Sequence, residues 1–547
     1  MKSGFRASMA WLHRWVGILF SAVMFFIFLT GTIGYFHYEI DRWMEPERPL
    51  AMQWSNEPSL DPDQKQYRIP SADGRVNMTQ ADLVQHGLNR LEELGVQDAV
   101  WWGVILPTAR NGNLWIEWQP PRGADGQRQD RKAEYFSLEN GSENWIQPRK
   151  TGGGKALYRL HWQLHYLPET AAYWLVGLCT LLMLVGLVSG VIIHRKIFRD
   201  FFTLRLFRHA RSWLDFHNVT SVMALPFQLM IVYSGLVFFA VTFMQPIVTA
   251  HYGEDGERTF RNEAFPDTEA APKAGKAAAM VPVVPLLEAA QKEAGEPINQ
   301  LYVLYPGDQN ARLSFYLHEA SPSHYQGKPH KILYRASTGE RIEGGDQLYG
   351  GAASVEKTLI ALHEGLFADW GVRWLYIFSG LLGTLMIATG SLYWLKKRQL
   401  KNRFAYANVE RFYAAVIAGL PIGIAAYFWA NRLLSADWSG RMVWEMHSLF
   451  IIWGMTFVLA WLRPLTTLWR EFFAFNAFAW GMIPIINALS TDRHLGISLA
   501  QGDWVLAGFD ITAVVIAAGF GSLTLSKQRA QEELLSGGAS LRSVGPT

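Results

Sequence analysis

Long apolar stretches alternate with two long polar segments along this chain. Each apolar stretch is about 18–25 residues long, which is enough for a helix to cross the hydrocarbon core of a bilayer. The pattern therefore predicts eight transmembrane helices, at about Val16–Phe36, Tyr173–Ile193, Ser221–Phe243, Trp374–Leu395, Phe412–Ala430, Val443–Trp461, Phe472–Leu489 and Trp504–Leu525.

The two polar segments, about residues 38–160 and 244–358, have a pattern of their own. Each mixes a helical stretch with strand-like runs that follow it. The helices are expected at Thr79–Gly95 and Val284–Ala294, and the strands at Val100–Leu106, Asn113–Gln119, Glu134–Leu138, Leu301–Tyr305, Ala311–His318 and Lys331–Ala336. Each polar segment is thus predicted to be a small α+β unit.

Basic residues in the short loops predict the orientation, because Lys and Arg gather on the cytoplasmic side of membrane proteins. They cluster between the second and third helices and after the fourth: Arg195, Lys196, Arg199, Arg205, Arg208, Arg211, Lys396, Lys397, Arg398, Lys401 and Arg403. Both termini are therefore expected in the cytoplasm of a bacterium, with both polar segments in the periplasm. The first apolar run is too long for a cleaved signal peptide and is interpreted as a retained helix.

The predicted organisation is a polytopic, predominantly α-helical inner-membrane protein with two inserts. Residues 1–37 form the first transmembrane helix, 38–160 the first periplasmic domain, and 161–243 helices two and three with their cytoplasmic loop. Residues 244–358 form the second periplasmic domain and 359–400 the fourth helix. Residues 401–547, here called the C-terminal extension, contain four further helices and a cytoplasmic tail.

The amino-acid composition excludes several kinds of partner and metal site. Only 18% of the 547 residues are charged, against about 25% in soluble proteins. The net charge of +3 reflects topology and gives no indication of nucleic acid as a partner. A single cysteine, Cys179, excludes disulfides within the chain, multi-cysteine zinc sites and iron–sulfur clusters held by this chain alone.

An internal repeat selects four of the fifteen histidines. His13 precedes Gly31 by 18 residues, and His217 precedes Gly235 by the same number. His165 and His363 each follow a strand-and-glycine motif by 24 residues, counted from Gly141 and Gly339. The stretch after Gly190 likewise matches that after Gly390. The unit of helix, insert and helix is therefore present twice in the same direction, as in repeats related by an axis along the membrane normal.

Repeat-related histidines suggest haem. A two-fold axis brings His13 and His217 to one level near the cytoplasm, and His165 and His363 to another near the periplasm. Axial imidazoles from facing helices are one way a helical bundle binds haem, so the repeat predicts two b-type haems with these axial ligands. The alternative is that the histidines are interfacial, hydrogen-bonded among loops and lipid headgroups.

Other histidines are secondary candidates. His161, one helical turn from His165, is the fallback for the periplasmic site, and His194 is the fallback on the cytoplasmic side. His447 in the C-terminal extension could serve a further cofactor, although a polar group satisfied among helices is the simpler interpretation. The sequence has no phosphate-binding glycine loop, nucleotide fold or HExxH motif. The reducing equivalents are therefore expected from a cytoplasmic reductase or from membrane quinol.

At these residues the chain resembles the PepSY-associated transmembrane family, often described as iron-regulated membrane proteins. The resemblance covers about residues 1–400, and the matching stretches are 12–17, 159–166, 190–196, 215–218, Pro226–Phe227 and 362–365. Gln228 departs from the pattern, because a histidine is common there in similar sequences. The C-terminal extension is a second departure from the family pattern.

The resemblance implies PepSY-like inserts and reduction of ferric iron, free or as a ferric siderophore, on the periplasmic side. Electron transfer through the two predicted haems needs no acid–base catalytic residue, because outer-sphere electron transfer depends on distance, reduction potential and exposure. Two other readings remain open. The inserts could be non-redox sensor or inhibitor modules that bind periplasmic partner proteins, or the histidines could relay protons in a transporter.

Overall fold

The computed structural model describes residues 3–54, 66–71, 74–108, 110–140, 142–194, 209–253, 271–295, 298–317, 331–342, 351–399 and 403–542, with Gly256, Thr259, Phe260 and Glu263. The predicted cytoplasmic loop between the second and third helices, at residues 195–208, lies outside the described residues. The chain divides into two compact units. The membrane unit comprises Met1–Pro46, Arg149–Phe239 and Trp370–Thr547, and the sheet unit comprises Glu47–Pro148 and Ala240–Asp369.

The first half of the chain contains α1 (Ser3–Gly34), α2 (His37–Met44), β1 (Gln53–Trp54), β2 (Gln66–Ser71), β3 (Gly74–Thr79), α3 (Gln80–Glu93), β4 (Trp101–Ile105), β5 (Trp115–Gln119), β6 (Lys132–Ser137), β7 (Asn144–Ile146), α4 (Gly153–Gln163), α5 (Glu169–Ile193), α6 (His209–Met223), α7 (Leu225–Phe238) and α8 (Ala240–Tyr252).

The second half contains α9 (Val283–Ala294), β8 (Ile298–Leu304), β9 (Arg312–Leu317), β10 (Lys331–Arg335), α10 (Gly351–Glu364), α11 (Trp370–Gln399), α12 (Arg403–Ala414), α13 (Leu420–Leu433), α14 (Arg441–Leu462), α15 (Leu465–Ser490), α16 (Leu495–Gln501) and α17 (Trp504–Arg542). A π-helical turn, Ala415–Gly419, joins α12 to α13.

Seven helical segments in the described chain are long and apolar enough to cross a membrane: Gly4–Gly34, Glu169–Ile193, Trp370–Arg398, Tyr406–Leu433, Arg441–Leu462, Leu465–Ser490 and Trp504–Arg529. Large apolar side chains such as Leu462 and Leu489 are exposed on them, as expected of helices that face lipid. The chain is therefore a membrane protein, and the count reaches eight if the bent pair described next is one span.

The expected third helix, Ser221–Phe243, is not a single straight helix. The chain breaks at Ala224, and the segments Ser212–Met223 and Leu225–Phe238 meet at 70°. Pro226 is the physical reason, because it has no backbone N–H for the helical bond and its ring clashes with the preceding turn. A second break follows Phe238, where α7 ends and α8 begins.

The two inserts share one antiparallel sheet, whereas two separate α+β units were expected. Its seven strands lie in the order β10-β9-β8-β4-β5-β6-β7. The inserts join where β4 pairs with β8, in a register that sets Trp101 opposite Leu304 and Ile105 opposite Gln300. The strands and the two helices predicted from the sequence are confirmed to within a few residues.

One hydrophobic core serves both inserts. Val104 and Ile116 of the first insert and Val303 of the second are fully buried in it, together with Leu83 of α3 and Leu287 of α9. On the strands themselves, the Tyr302 hydroxyl donates to Glu117 Oε1 at 2.9 Å across the junction. Burial, and secondly the charge of Glu117, raises the pKa of Tyr302. The sheet unit thus has one sheet and one hydrophobic core built from both polar segments.

Candidate functional site

His13 lies on α1 and contacts α5. Its Nδ1 is 2.9 Å from the carbonyl oxygen of Gly186 and 3.3 Å from the Ser189 hydroxyl. The Ser189 hydroxyl donates to the same Gly186 carbonyl at 3.0 Å. One turn further along α5, a Cβ at Gly190 would lie 3.3 Å from Cε1 of His13. Glycine at this position leaves the imidazole room against the helix.

His217 repeats this arrangement on the second copy, where α6 contacts α11. Its Nδ1 is 2.8 Å from the carbonyl oxygen of Met386. The Thr389 hydroxyl lies 3.2 Å from that carbonyl oxygen and 2.7 Å from that of Leu385. A Cβ at Gly390 would lie 2.9 Å from Nδ1 of His217. Met386, Thr389 and Gly390 stand 200 residues after Gly186, Ser189 and Gly190, so the repeat preserves the acceptor, the hydroxyl and the glycine.

The two imidazoles face each other as the sequence predicted, with ring centroids 6.3 Å apart and ring planes at 66°. A backbone carbonyl can only accept a hydrogen bond, so Nδ1 of each ring carries the proton. In the neutral rings this leaves the Nε2 lone pairs of His13 and His217 available to bind a metal. Metal-binding histidines commonly have their second nitrogen fixed in this way.

This geometry fits a haem held by two imidazoles. A metal about 2 Å from a nitrogen on each of two rings places the ring centres roughly 6 Å apart, close to the observed separation. A haem needs only two axial ligands from the protein. Among the residues that the structure describes, no group of three or more His, Cys, Asp or Glu side chains could hold a metal ion.

His194, the cytoplasmic-side fallback, has its Nε2 engaged. The Asn218 side-chain amide lies 3.2 Å from that nitrogen and is its donor. Asn218 directly follows His217, so His194 lies beside the His13 and His217 rings without sharing their bonding pattern. The structure therefore distinguishes the fallback from the principal pair.

His161, the other fallback, does share the pattern. It lies on α4, and its Nδ1 is hydrogen-bonded to the Tyr158 carbonyl oxygen. Its ring packs on Gly31 of α1, where a Cβ would lie 3.4 Å from its Cγ. A carbonyl on Nδ1 and a glycine against the ring are also found at His13 and His217, where the carbonyl belongs to the facing helix and not to the histidine's own helix.

His165 follows α4 in a left-handed turn, with φ of 50° at Leu164 and 43° at His165. Its ring stacks on Phe450 of α14, with centroids 5.6 Å apart. Burial, and secondly the nearby His447, lowers the pKa of His165. His363 lies on α10 in the sheet unit, so its pairing with His165 stays a prediction.

The comparison with known families now bears on this arrangement. The family model described as PepSY-associated TM region matches residues 10–397. The chain belongs to the PepSY-associated transmembrane family. The matched region contains the four repeat-related histidines and the two fallbacks, His161 and His194, but not His447, because it ends just before the C-terminal extension. No curated protein among those compared matches the chain.

Beyond the family region, the extension contains a buried ionic network that the sequence reasoning missed. Arg441 and Glu445 of α14 are both fully buried and pair at 3.0 Å. Asn431 of α13 donates to Glu445 at 2.9 Å. Arg441 and Glu445 lie four residues apart at the start of a predicted span, and ionisable residues in such segments usually have a structural or functional role. That signal was available in the sequence.

The same network reaches α2 in the family region. Arg432 of α13 stacks on the Trp43 ring, with its guanidinium carbon 3.7 Å from the ring centroid. The Trp43 indole donates to Asp510 of α17 at 2.9 Å. Arg42 pairs with Asp503 at 2.8 Å. The extension is therefore bound to the first copy of the repeat through buried charged and aromatic contacts.

Gln228, the departure from the family pattern, is fully buried in the first turn of α7. Neither its amide nitrogen nor its amide oxygen has a hydrogen-bond partner among the described residues. Its amide nitrogen lies 3.7 Å from the position of a Cβ at Gly383. The amide therefore has unsatisfied polar atoms in the interior of the membrane unit, which is costly.

Proposed function

We propose that this member of the family is a membrane electron-transfer protein that binds two b-type haems and reduces ferric iron or a ferric siderophore. The observation that supports it best is the pair His13 and His217. Two repeat-related imidazoles present unprotonated Nε2 atoms, have Nδ1 fixed by equivalent carbonyls, and have ring centroids 6.3 Å apart. Such a pair offers the two axial ligands that a haem requires.

In this proposal, backbone groups beside the two histidines determine which ring nitrogen binds the iron and how basic that nitrogen is. The carbonyls of Gly186 and Met386 hold the tautomer of each ring, and their hydrogen bonds make the imidazoles stronger electron donors. The glycines at positions 190 and 390 set how close each ring lies to the helix behind it. A bis-histidine haem, when bound, supplies a one-electron couple and leaves no open position for a substrate on the iron.

The second haem is proposed for the histidines at the other end of the repeat. His165 was the first choice from the sequence, with His363 as its partner. The pattern of carbonyl and glycine at His161 supports the fallback over His165 as the ligand from the α4 side. His363 keeps its proposed role in either case.

The proposed orientation follows from the basic loops. The termini would lie in the cytoplasm of a bacterium, and the sheet unit in the periplasm. A cytoplasmic reductase or quinol would supply electrons near His13 and His217, and a ferric chelate would accept them at the opposite face. Reduction weakens the binding of hard oxygen ligands to iron, which releases the metal for import.

An absorption spectrum of the purified protein tests the proposal. Bis-histidine haem gives a sharp Soret band that shifts on reduction with dithionite, and two haems per chain are expected. Replacing His13 or His217 with alanine should remove one haem and leave the other. His251, an exposed histidine on α8, provides the matched control, and H251A should retain both. H194A should also retain both.

The remaining functions predict different results. Protein that is colourless after expression in haem-replete cells would eliminate the electron-transfer function and favour a sensor or inhibitor module. Proton-coupled uptake into vesicles by haem-free protein would favour the histidine-relay transporter. Haem retained in full by H13A and H217A would show that the facing imidazoles are not the ligands.

A further inference from the structure

Helix α14 of the C-terminal extension contacts the segment that begins α4. The Glu445 carboxylate accepts from the Thr151 hydroxyl at 2.6 Å and from the Gly152 backbone N–H at 3.0 Å. These groups precede the first turn of α4, where backbone N–H groups lack helical partners and attract a negative charge. Glu445 is itself held by Arg441 and Asn431. The start of α4 is thus bound to a buried carboxylate.

The glycines here allow a close approach that no other residue permits. Gly153 has φ of 61°, and a Cβ on Gly154 would lie 2.3 Å from the carbonyl oxygen of His37. The Tyr427 hydroxyl of α13 donates to the Gly153 carbonyl at 2.8 Å. Asp41 of α2 accepts from the Gly154 N–H at 2.8 Å. Helices α2 and α13 therefore hold the same turn from different sides.

The turn that follows α4 also contacts α14. The hydroxyl of Tyr166 lies 2.6 Å from His447 Nδ1, and the two rings stack at an interplanar angle of 14°. Phe450, almost one turn further along α14, stacks on the His165 ring with an interplanar angle of 13°. A single short stretch of α14, from Glu445 to Phe450, thus contacts the segments on both sides of α4.

We infer that α14 positions α4 and thereby sets the geometry of the haem ligand that α4 or its terminal turn provides. The inference rests on the proposed function and extends it to the part of the chain outside the family match. Glu445, His447 and Phe450 are positioning residues, because they act through Thr151, Tyr166 and the His165 ring. It holds whether His161 or His165 is the ligand, since both follow the orientation of α4.

Buried charge supports this role over simple packing. Desolvating Arg441 and Glu445 is costly, and an apolar pair of similar volume is often no less stable. Such a pair fixes one arrangement, because the carboxylate must meet specific donors. Here those donors belong to the segment leading into α4, so the requirement to meet them fixes the position of α4.

Two readouts test the inference, and one needs no haem. In E445Q, hydrogen exchange of the α4 amides should become about tenfold faster, because a hydrogen bond to a charged group is lost. The midpoint potential of the haem removed by H161A or H165A should shift in E445Q and Y166F, while that of the His13 and His217 haem stays fixed. If E445Q does not accumulate in cells, Y166F and T151A can replace it. Each removes only one hydroxyl that contacts α14.

Glu471 gives the matched control, because it pairs with Arg463 within the extension at 2.6 Å on a more exposed surface. E471Q should change neither readout. Unchanged exchange and potentials in E445Q, Y166F and T151A would overturn the inference, as would equal shifts of both haems. A colourless protein would refute the proposed function, while the exchange experiment would still decide whether α14 holds α4.

Discussion

Helix α1 and the α6–α7 pair carry the two repeat-related histidines on helices of different shape. His13 lies on a helix that continues without a break to Gly34, whereas the helix of His217 breaks at Ala224 and turns by 70°. The rings nevertheless make the same contacts, each with a carbonyl and a glycine of the facing helix. Local contacts within one or two turns, rather than the path of the whole helix, therefore set the positions of the two rings.

The two copies differ more in how tightly each ring is held. A Cβ at Gly390 would lie 2.9 Å from His217, and one at Gly190 would lie 3.3 Å from His13. The His217 side is thus the less tolerant of added volume. The two copies share the hydrogen-bonding pattern of the histidine but differ in the space between its ring and the glycine. Substitutions can test the hydrogen bonds and the space separately.

The largest effect is expected from G390A. The new methyl group would force His217 from its position, at a cost of about 1–3 kcal/mol for an overpacked contact. Haem titration should show weaker binding at this pair in G390A and a smaller loss in G190A. A Cβ at Gly186 would meet nothing within 4 Å, so G186A is the control on the helix of Gly190 and should bind normally. Equal losses in G390A and G190A would contradict the difference in clearance.

A smaller effect is expected from S189A and T389V. The Ser189 hydroxyl donates to the Gly186 carbonyl at 3.0 Å. The Thr389 hydroxyl lies 2.7 Å from the Leu385 carbonyl oxygen and 3.2 Å from that of Met386, so its proton is shared between the two. Removing a donor from the carbonyl that the imidazole also contacts strengthens the Nδ1–H bond by a fraction of the roughly 0.5–1.5 kcal/mol typical of a hydrogen bond, and the change should be smaller in T389V than in S189A. Both variants should lower the midpoint potential of the same haem. Shifts of opposite sign would show that the two copies are not equivalent.

The smallest effect on the haem is expected from P226A. Restoring a backbone donor should reduce the bend between α6 and α7, because the proline accounts for the break. Spin labels on the two helices should then move apart in pulsed EPR, while the haem spectrum stays unchanged. A spectral change as large as that of G390A would show that the break, and not only local contacts, sets the position of His217.

Much of the local structure was predictable from periodicity. The strands, α3 and α9 lie close to their predicted positions, because alternation and helical spacing are properties of neighbouring residues. The meeting of His13 and His217 was also predictable, since an internal repeat relates positions that are far apart in the chain. The ligand roles of these histidines stay predictions until haem is measured.

Other features depend on contacts that a single sequence does not encode visibly. No local signal indicates that β4 pairs with β8, so two domains were expected where one sheet forms. The break at Ala224 had a signal in Pro226, but the apolar run around it suggested a continuous span. The two features that support His161 over His165 in the proposal, the carbonyl of Tyr158 and the position of Gly31, depend on the fold.

The shared sheet also has a consequence for biosynthesis. The β4 edge that β8 will cover is completed roughly 190 residues before β8 emerges. At about 5–20 residues per second, the ribosome needs on the order of ten to forty seconds to supply the missing strand. During that interval an unpaired strand edge is open to wrong partners. A translational pause between the inserts lengthens this interval and should therefore lower the yield of folded protein.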